Sequence, residues 1–242
     1  MKCRVGVPVV ALLLLVVAAS VAMAGDIVTV PTANQVKAGE VDLAMYYLGL
    51  DNDSLVEPIQ PLDIGFVRAQ TAYIGVTDKL EIDVHRYDVD VVGTETIINA
   101  TYVLQHETMK RPIVVLGTRD LTREHTDPTG AATGASYFVS AAKTLNPPIG
   151  GPPKLPIIRL HLSLGTEDET LLGEGRHEGI FGGVQTILKL ASPFVGAIAL
   201  YDGTDVITGL TVVPQPGWPT LKGGTFGGHW WIGMSYTFNE KK

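Results

Sequence analysis

Hydrophobic and polar residues alternate along much of this chain, in blocks of about ten residues separated by Gly, Pro and Asp. In residues 158–164, four aliphatic side chains alternate with Arg159, His161 and Ser163. In residues 230–238, aromatic and aliphatic side chains alternate with Gly, Ser and Thr. A period of two is typical of β-strands whose two faces lie in different surroundings. The pattern therefore predicts an all-β protein.

About eleven strands are predicted in this way, and no long helical stripe of apolar residues competes with them. Beyond His85 the alternation slips at Arg86, which predicts a β-bulge. Residues 77–78, 191–193 and 202–204 are predicted to form tight turns, and residues 167–177 and 214–228 longer loops. The predicted strands are 41–50, 64–76, 80–85, 96–105, 112–118, 135–144, 158–164, 179–190, 194–202, 206–213 and 230–238.

The N-terminus has the features of a secretory signal peptide. Lys2 and Arg4 precede an apolar run over residues 5–21, and Ala22-Met23-Ala24 then supplies the small-x-small pattern that a signal peptidase recognises. Cleavage is therefore expected before Gly25. The alternative is a retained membrane anchor. We expect residues 1–24 to be the signal peptide and residues 25–242 a single domain.

Composition narrows the functional classes. The 242 residues carry a net charge of -7, and removing Lys2 and Arg4 leaves 16 basic residues against 25 acidic ones, a charge of -9. An acidic chain without a basic face argues against nucleic-acid binding. The single cysteine, Cys3, lies in the signal peptide, so disulfides are not expected after cleavage.

An exported chain of alternating strands suits two architectures, a soluble β-sandwich and an outer-membrane β-barrel. Three features favour an antiparallel up-and-down barrel of about 10–12 strands. The polar faces carry residues such as Gln185 and Lys189, and the strands have the length of about 9–11 residues that a tilted spanning strand needs. The last strand closes on Tyr236-Thr237-Phe238, an aromatic-x-aromatic pattern similar to the assembly signal of outer-membrane barrels.

Several short stretches resemble YjbH-like proteins, outer-membrane β-barrels associated with exopolysaccharide secretion. They are 30–33 with 38–40, 117–121 with 137–143, and 181–184 with 199–203 and 207–210. At Leu200 the chain departs from the family, which usually has Glu there. The resemblance implies a structural or conduit role in envelope and exopolysaccharide export.

In such a barrel the two faces of each strand can be assigned. Trp230, Tyr236 and Phe238 would lie near the membrane interfaces. Because mixed charges in a narrow barrel tend to form ion pairs, an open pore does not follow. The residues expected to face lipid are Leu160, Leu162, Leu164, Ile232 and Met234. Those expected to line the lumen are Glu81, Asp83, His85, Arg159, His161, Ser163, Gln185 and Lys189.

Catalytic and metal-binding patterns are missing from the sequence. The six histidines are scattered singly, and no His/Cys spacing suits zinc. Glu81 and Asp83 share a strand face, as the two carboxylates of a glycosidase could, although a hydrated lumen explains them more simply.

We therefore expect a non-enzymatic outer-membrane protein without cofactor or metal. Its expected partners are outer-membrane lipid, the barrel-assembly machinery, and polysaccharide or other export components. The first alternative is a secreted or periplasmic sandwich that binds carbohydrate, and the second is a polysaccharide hydrolase.

Overall fold

The computed structural model describes residues 32–49, 66–89, 93–122, 135–145, 156–166, 168–170, 173–189 and 192–239. Regular structure within these ranges consists of β-strands. Among the described residues, no helix has the length and apolar character needed to span a membrane. The proposed cleavage residues Ala22, Ala24 and Gly25 lie outside the described residues.

Fourteen strands follow one another in these ranges, and twelve of them close into one barrel. The strands are β1 (Glu40–Gly49), β2 (Phe66–Gly75), β3 (Leu80–Val89), β4 (Gly93–Gln105), β5 (Ile113–Arg119), β6 (Ser136–Leu145), β7 (Ile157–Gly165), β8 (Asp168–Thr170), β9 (Gly173–Arg176), β10 (Gly179–Lys189), β11 (Phe194–Tyr201), β12 (Val206–Val213), β13 (Thr220–Phe226) and β14 (His229–Asn239).

Each barrel strand pairs antiparallel with its neighbours in the chain, and β1 pairs with β14 from Glu40–Asn239 to Leu48–Trp231. The strands β8 and β9 form a separate small hairpin in the connection between β7 and β10. Closure leaves the barrel sheet itself without an open edge. The predicted antiparallel up-and-down barrel of about 10–12 strands is confirmed, and the β-sandwich alternative is wrong because a single sheet closes on itself.

The two ends of the barrel differ. At the end where β1 begins and β14 ends, which we name the base, strands are joined by connections that include 76–79, 106–112 and 214–219. At the opposite end, named the loop end, the connections include the longer segments 50–65, 120–135 and 166–178. The first residue of β1 and the last residue of β14 therefore both lie at the base.

Three local predictions were wrong. Residues 220–226 form β13 rather than part of a loop, and the connection 167–177 contains the β8–β9 hairpin. The pairing of β3 with both neighbours runs through Arg86 without a bulge. Arg86 is simply exposed on the outer face near the loop end, where an Arg68–Asp88 ion pair is also partly exposed.

The glycines of β13 explain why the alternating pattern did not predict this strand. Trp231 is 1% exposed, and its indole N–H lies 3.2 Å from the carbonyl oxygens of Thr208 and Thr225. A Cβ added at Gly209 would meet the Trp231 ring, and one added at Gly224 would meet the backbone at Thr208. Glycines on the inner faces of β12 and β13 thus let the strands approach closely and make room for a large indole.

The inside of the barrel is packed. One cluster of buried apolar side chains contains residues from every barrel strand except β7. It includes Tyr46, Tyr73, Phe138, Phe181 and Trp231. Ala33 and Val36, which precede β1, belong to the same cluster. The hydrophobic core of this protein therefore lies in the lumen of its barrel.

Candidate functional site: the lumen and its N-terminal segment

The residues predicted to line the lumen lie on the inner faces of three strands. Glu81, Asp83 and His85 follow one another on β3, each at most 3% exposed. On β7, His161 and Ser163 are buried and the Arg159 side chain is 20% exposed. Gln185 on β10 is 1% exposed. Lys189 ends β10, and its side chain lies outside the described residues.

Residues 32–37, which we name the inner segment, run inside the barrel before β1 begins. Ala33 is fully buried and Val36 is 3% exposed, whereas Lys37 is exposed at the base. A turn at Gly39, with φ of 74°, reverses the chain into β1. There the Gly39 amide donates to Gly75 O at 2.8 Å. A left-handed φ of this kind favours glycine.

Three side chains from the barrel wall bind the inner segment. The Asn34 carboxamide donates to Gln185 Oε1 at 3.3 Å and accepts from Arg159 Nε at 2.8 Å. The Val36 amide donates to Glu81 Oε2. In the order of strands around the barrel, β3 is separated from β7 by three strands on the shorter side. The inner segment therefore bridges two well-separated parts of the wall.

Contact with β2 is equally close. A Cβ added at Gly75 would collide with the carbonyl groups of Val36 and Lys37. Only a residue without a side chain leaves room for the segment at this point of the wall.

A charged cluster at the base extends these contacts. Glu107, in the connection between β4 and β5, accepts from the Thr144 amide at 2.7 Å and from Arg159 Nη1 at 2.6 Å. Lys143 Nζ forms an ion pair with the same carboxylate and lies 3.4 Å from Glu107 Oε1. Arg159 thus holds Asn34 with Nε and Glu107 with Nη1.

The cluster also affects the titration of Glu107. Partial burial alone would raise its pKa, but the hydrogen bonds from Thr144 and Arg159 and the charges of Arg159 and Lys143 together lower the pKa below its ordinary value. The carboxylate is therefore favoured in its charged, ion-paired form.

Deeper in the lumen, polar side chains pair with one another. His161 Nε2 lies 3.0 Å from Gln185 Oε1, so Gln185 contacts both β7 and the inner segment. The hydroxyls of Ser140 and Ser163 are 2.6 Å apart, and the Thr71 hydroxyl is 3.1 Å from His85 Nδ1. These pairs satisfy polar groups that burial would otherwise make costly.

At the loop end, Arg176 ties the β8–β9 hairpin to the wall. Its guanidinium pairs with Asp202 and, at 2.7 Å, with Asp205, and it lies 4.7 Å from the ring centre of Phe226. Arg176 and Asp202 are both buried. The connection between β7 and β10 is therefore anchored against the turn between β11 and β12.

The outer face of the barrel is apolar. Its aliphatic residues include Leu162, 63% exposed, and Ile232, 56% exposed. The predicted lipid-facing residues Leu160, Leu164 and Met234 are exposed on the same face. Outward side chains from Trp230 to Phe238 cover about 20 Å of barrel height, for a strand rise of about 3.3 Å and a tilt of about 40°.

Aromatic side chains mark both ends of this face. Near the loop end, Tyr47 stacks between Phe66 and Trp230, with ring centres 5.4 Å apart in each pair. Near the base, Tyr236 and Phe238 contact edge to face at 4.7 Å. Exposed tyrosines extend each group around the barrel: Tyr137 and Tyr201 at the loop end, and Tyr102 at the base.

The carboxylate pair considered for hydrolysis is enclosed. Glu81 and Asp83 are each 3% exposed, and Glu81 accepts the Val36 amide. In the described ranges, no group of three or more His, Cys, Asp or Glu side chains is placed to hold a metal ion.

Sequence reasoning missed Asn34, Glu107 and Arg176. Each lies outside an alternating strand or in a short one, where a period of two cannot show whether a side chain points into the barrel or out of it. Arg119 and Asp120 are also buried, and they lie just beyond the predicted strand 112–118, where the alternating pattern does not indicate burial. A charged residue in a short connection predicts exposure, and only the folded barrel shows where its partners lie.

No protein-family model matches this sequence, and the search of curated proteins finds no match either.

Proposed function

We propose that this protein is a non-enzymatic β-barrel of the bacterial outer membrane with a structural role in envelope and exopolysaccharide export. The observation that carries the membrane part is the outer face, where exposed aliphatic side chains such as Leu162 lie between two groups of aromatic residues. An apolar band flanked by aromatic girdles is the pattern of outer-membrane barrels. Monomeric soluble proteins rarely expose so large an apolar surface.

The ends of the barrel suggest an orientation. Outer-membrane barrels have short periplasmic turns and longer extracellular loops. The base, with the 76–79 connection and the start of β1, would then face the periplasm, and the longer connections 50–65 and 120–135 would face outward. The barrel-assembly machinery would engage β14, whose Tyr236 and Phe238 end at the base.

The export role rests on the resemblance to YjbH-like proteins. Because buried side chains and the inner segment occupy the lumen, this closed form suits a structural role better than a conduit. Polysaccharide or other export components are the proposed partners.

Fractionation of cells expressing the full chain tests the membrane proposal. We expect detergent-dependent extraction from the outer-membrane fraction and a gel mobility that changes on heating. Recovery of folded protein in the soluble periplasmic fraction would contradict it. Deleting the protein should then reduce secreted polysaccharide, whereas unchanged secretion would contradict the export role alone.

A further inference from the structure

We propose that the inner segment, residues 32–37, is a removable plug that closes the base of the lumen. The first argument is topological. The twelve barrel strands pair with one another all round, so the barrel closes without the segment. Withdrawing the segment would break no hydrogen bond of the strand ladder.

The second argument is one of size. Barrels of about eight strands are filled by their own side chains, whereas those of about 16–18 leave an aqueous channel. A twelve-stranded barrel lies between these sizes, and here Ala33 and Val36 complete the cluster of buried side chains. We expect their removal to open a gap at the base of the packed lumen.

The third argument concerns how the plug is held. The wall contributes polar side chains, with Gln185 and Arg159 binding Asn34 and Glu81 binding the Val36 amide. Water can replace each of these bonds, so their net contribution is modest. Gln185 Oε1, Arg159 Nε and Glu81 Oε2 would each lose one partner, and water or a polar solute could take its place.

Further polar atoms lie along the same contact. Gln35 Nε2, His161 Nδ1 and Gln185 Nε2 are buried and make no hydrogen bond to the described protein atoms. Buried nitrogens of this kind are usually satisfied by internal water. A contact that contains polar groups separates in water at lower cost than a purely apolar one, which suits a segment that leaves and returns.

Thiol labelling tests the plug directly, because the chain after residue 24 has no cysteine. The full mature chain would carry Ala33→Cys, and a matched variant Gln215→Cys, exposed in a connection at the base. In folded protein in detergent micelles, we expect maleimide to react with the Ala33→Cys thiol at least about tenfold more slowly than with the control. Equal rates would overturn the proposal.

Removability is tested by adding Asn34→Ala to the Ala33→Cys variant. This change removes both Asn34 side-chain bonds and leaves every barrel strand intact. We expect labelling to accelerate several-fold while the heat-dependent gel shift stays unchanged. Labelling that remains as slow as global unfolding would show a permanent part of the core and overturn the proposal.

Conductance supplies a second readout. A variant lacking residues 25–37 should retain the heat-dependent gel shift and show a several-fold larger single-channel conductance in planar bilayers than the mature chain. A folded deletion variant with unchanged conductance would overturn the proposal. Because labelling is measured in micelles, a failed fractionation experiment would leave the plug result interpretable, and a failed labelling experiment would leave the membrane proposal standing.

Discussion

Trp230 and Trp231 are neighbours in β14, yet they lie on opposite sides of the barrel wall. Trp230 is 52% exposed and stacks on Tyr47, whereas Trp231 is 1% exposed and its ring lies edge to face with Tyr46, 6.2 Å away. Two residues of the same type thus serve the outer aromatic girdle and the core of the lumen.

This difference predicts unequal costs for the same substitution. Trp231→Phe removes the indole donor near Thr208 and Thr225 and leaves a void, so the free energy of unfolding should fall by about 2 kcal/mol or more. Trp230→Phe keeps an aromatic ring at the surface and should change it by less than about 0.5 kcal/mol. Urea unfolding in micelles, followed by gel shift, measures both. Equal losses would contradict the assigned faces.

A charge on the outer face distinguishes lipid from water. If Leu162 contacts lipid near the middle of the band, Leu162→Arg should lower the free energy of unfolding in vesicles by about 2–4 kcal/mol. The control Thr204→Arg lies in an exposed turn at the loop end and should be close to neutral. A soluble barrel would tolerate Leu162→Arg, since surface substitutions usually change stability by less than about 0.5 kcal/mol.

The Arg176 cluster should matter far more than the exposed ion pair between Arg68 and Asp88. Arg176→Met leaves the buried Asp202 without its cation, which should cost about 3 kcal/mol or more. Arg68→Met, in a pair whose side chains are 46% and 34% exposed, should cost at most about 1 kcal/mol. Unfolding midpoints and proteinase K cleavage within 166–178 measure the effects. Similar losses in the two variants would contradict an anchored hairpin.

Neighbouring glycines of β13 offer a fourth comparison. A Cβ at Gly224 would overlap the backbone at Thr208, so Gly224→Ala should lower the free energy of unfolding by about 1–3 kcal/mol. At Gly223 the nearest atom would be the Trp231 carbonyl oxygen at 3.3 Å, so Gly223→Ala should cost much less than Gly224→Ala. Denaturant midpoints decide between these outcomes, and a neutral Gly224→Ala would argue against β13 as a closely packed strand.

Glu107 predicts a pH dependence. Its pKa is lowered in the folded protein, so its contribution to stability is fully present above the pKa of the unfolded chain and is lost as pH falls through the folded pKa. The stability difference between the wild type and Glu107→Gln should therefore be constant near neutral pH and shrink in acid. Urea midpoints of both proteins from neutral to acid pH measure it, and a difference that grows in acid would contradict the ion-paired carboxylate.

Most strands can be predicted from the sequence, because successive side chains of a strand point to opposite faces of the sheet. The face on which a side chain lies therefore depends on its neighbours in the chain. The alternation around Arg159, His161 and Ser163 places these side chains on one face and Leu160 and Leu162 on the other, as the structure does. It breaks down at Arg86, where the outer face becomes polar near the loop end and the change resembles a bulge. It also fails at Gly224, because a strand with glycines has no side chains to alternate.

The alternation of apolar and polar residues along the chain is enough to predict the strand class, most strand positions and the two faces of the barrel wall. The folded barrel is needed to show that β1 pairs with β14, that a twelfth barrel strand completes the wall, and that Asn34 lies between Arg159 and Gln185 inside it. The β1–β14 pairing and the contacts of Asn34 join residues more than a hundred positions apart. A period of two describes neighbours along the chain, whereas ring closure and the filling of its interior depend on how all twelve strands fit together.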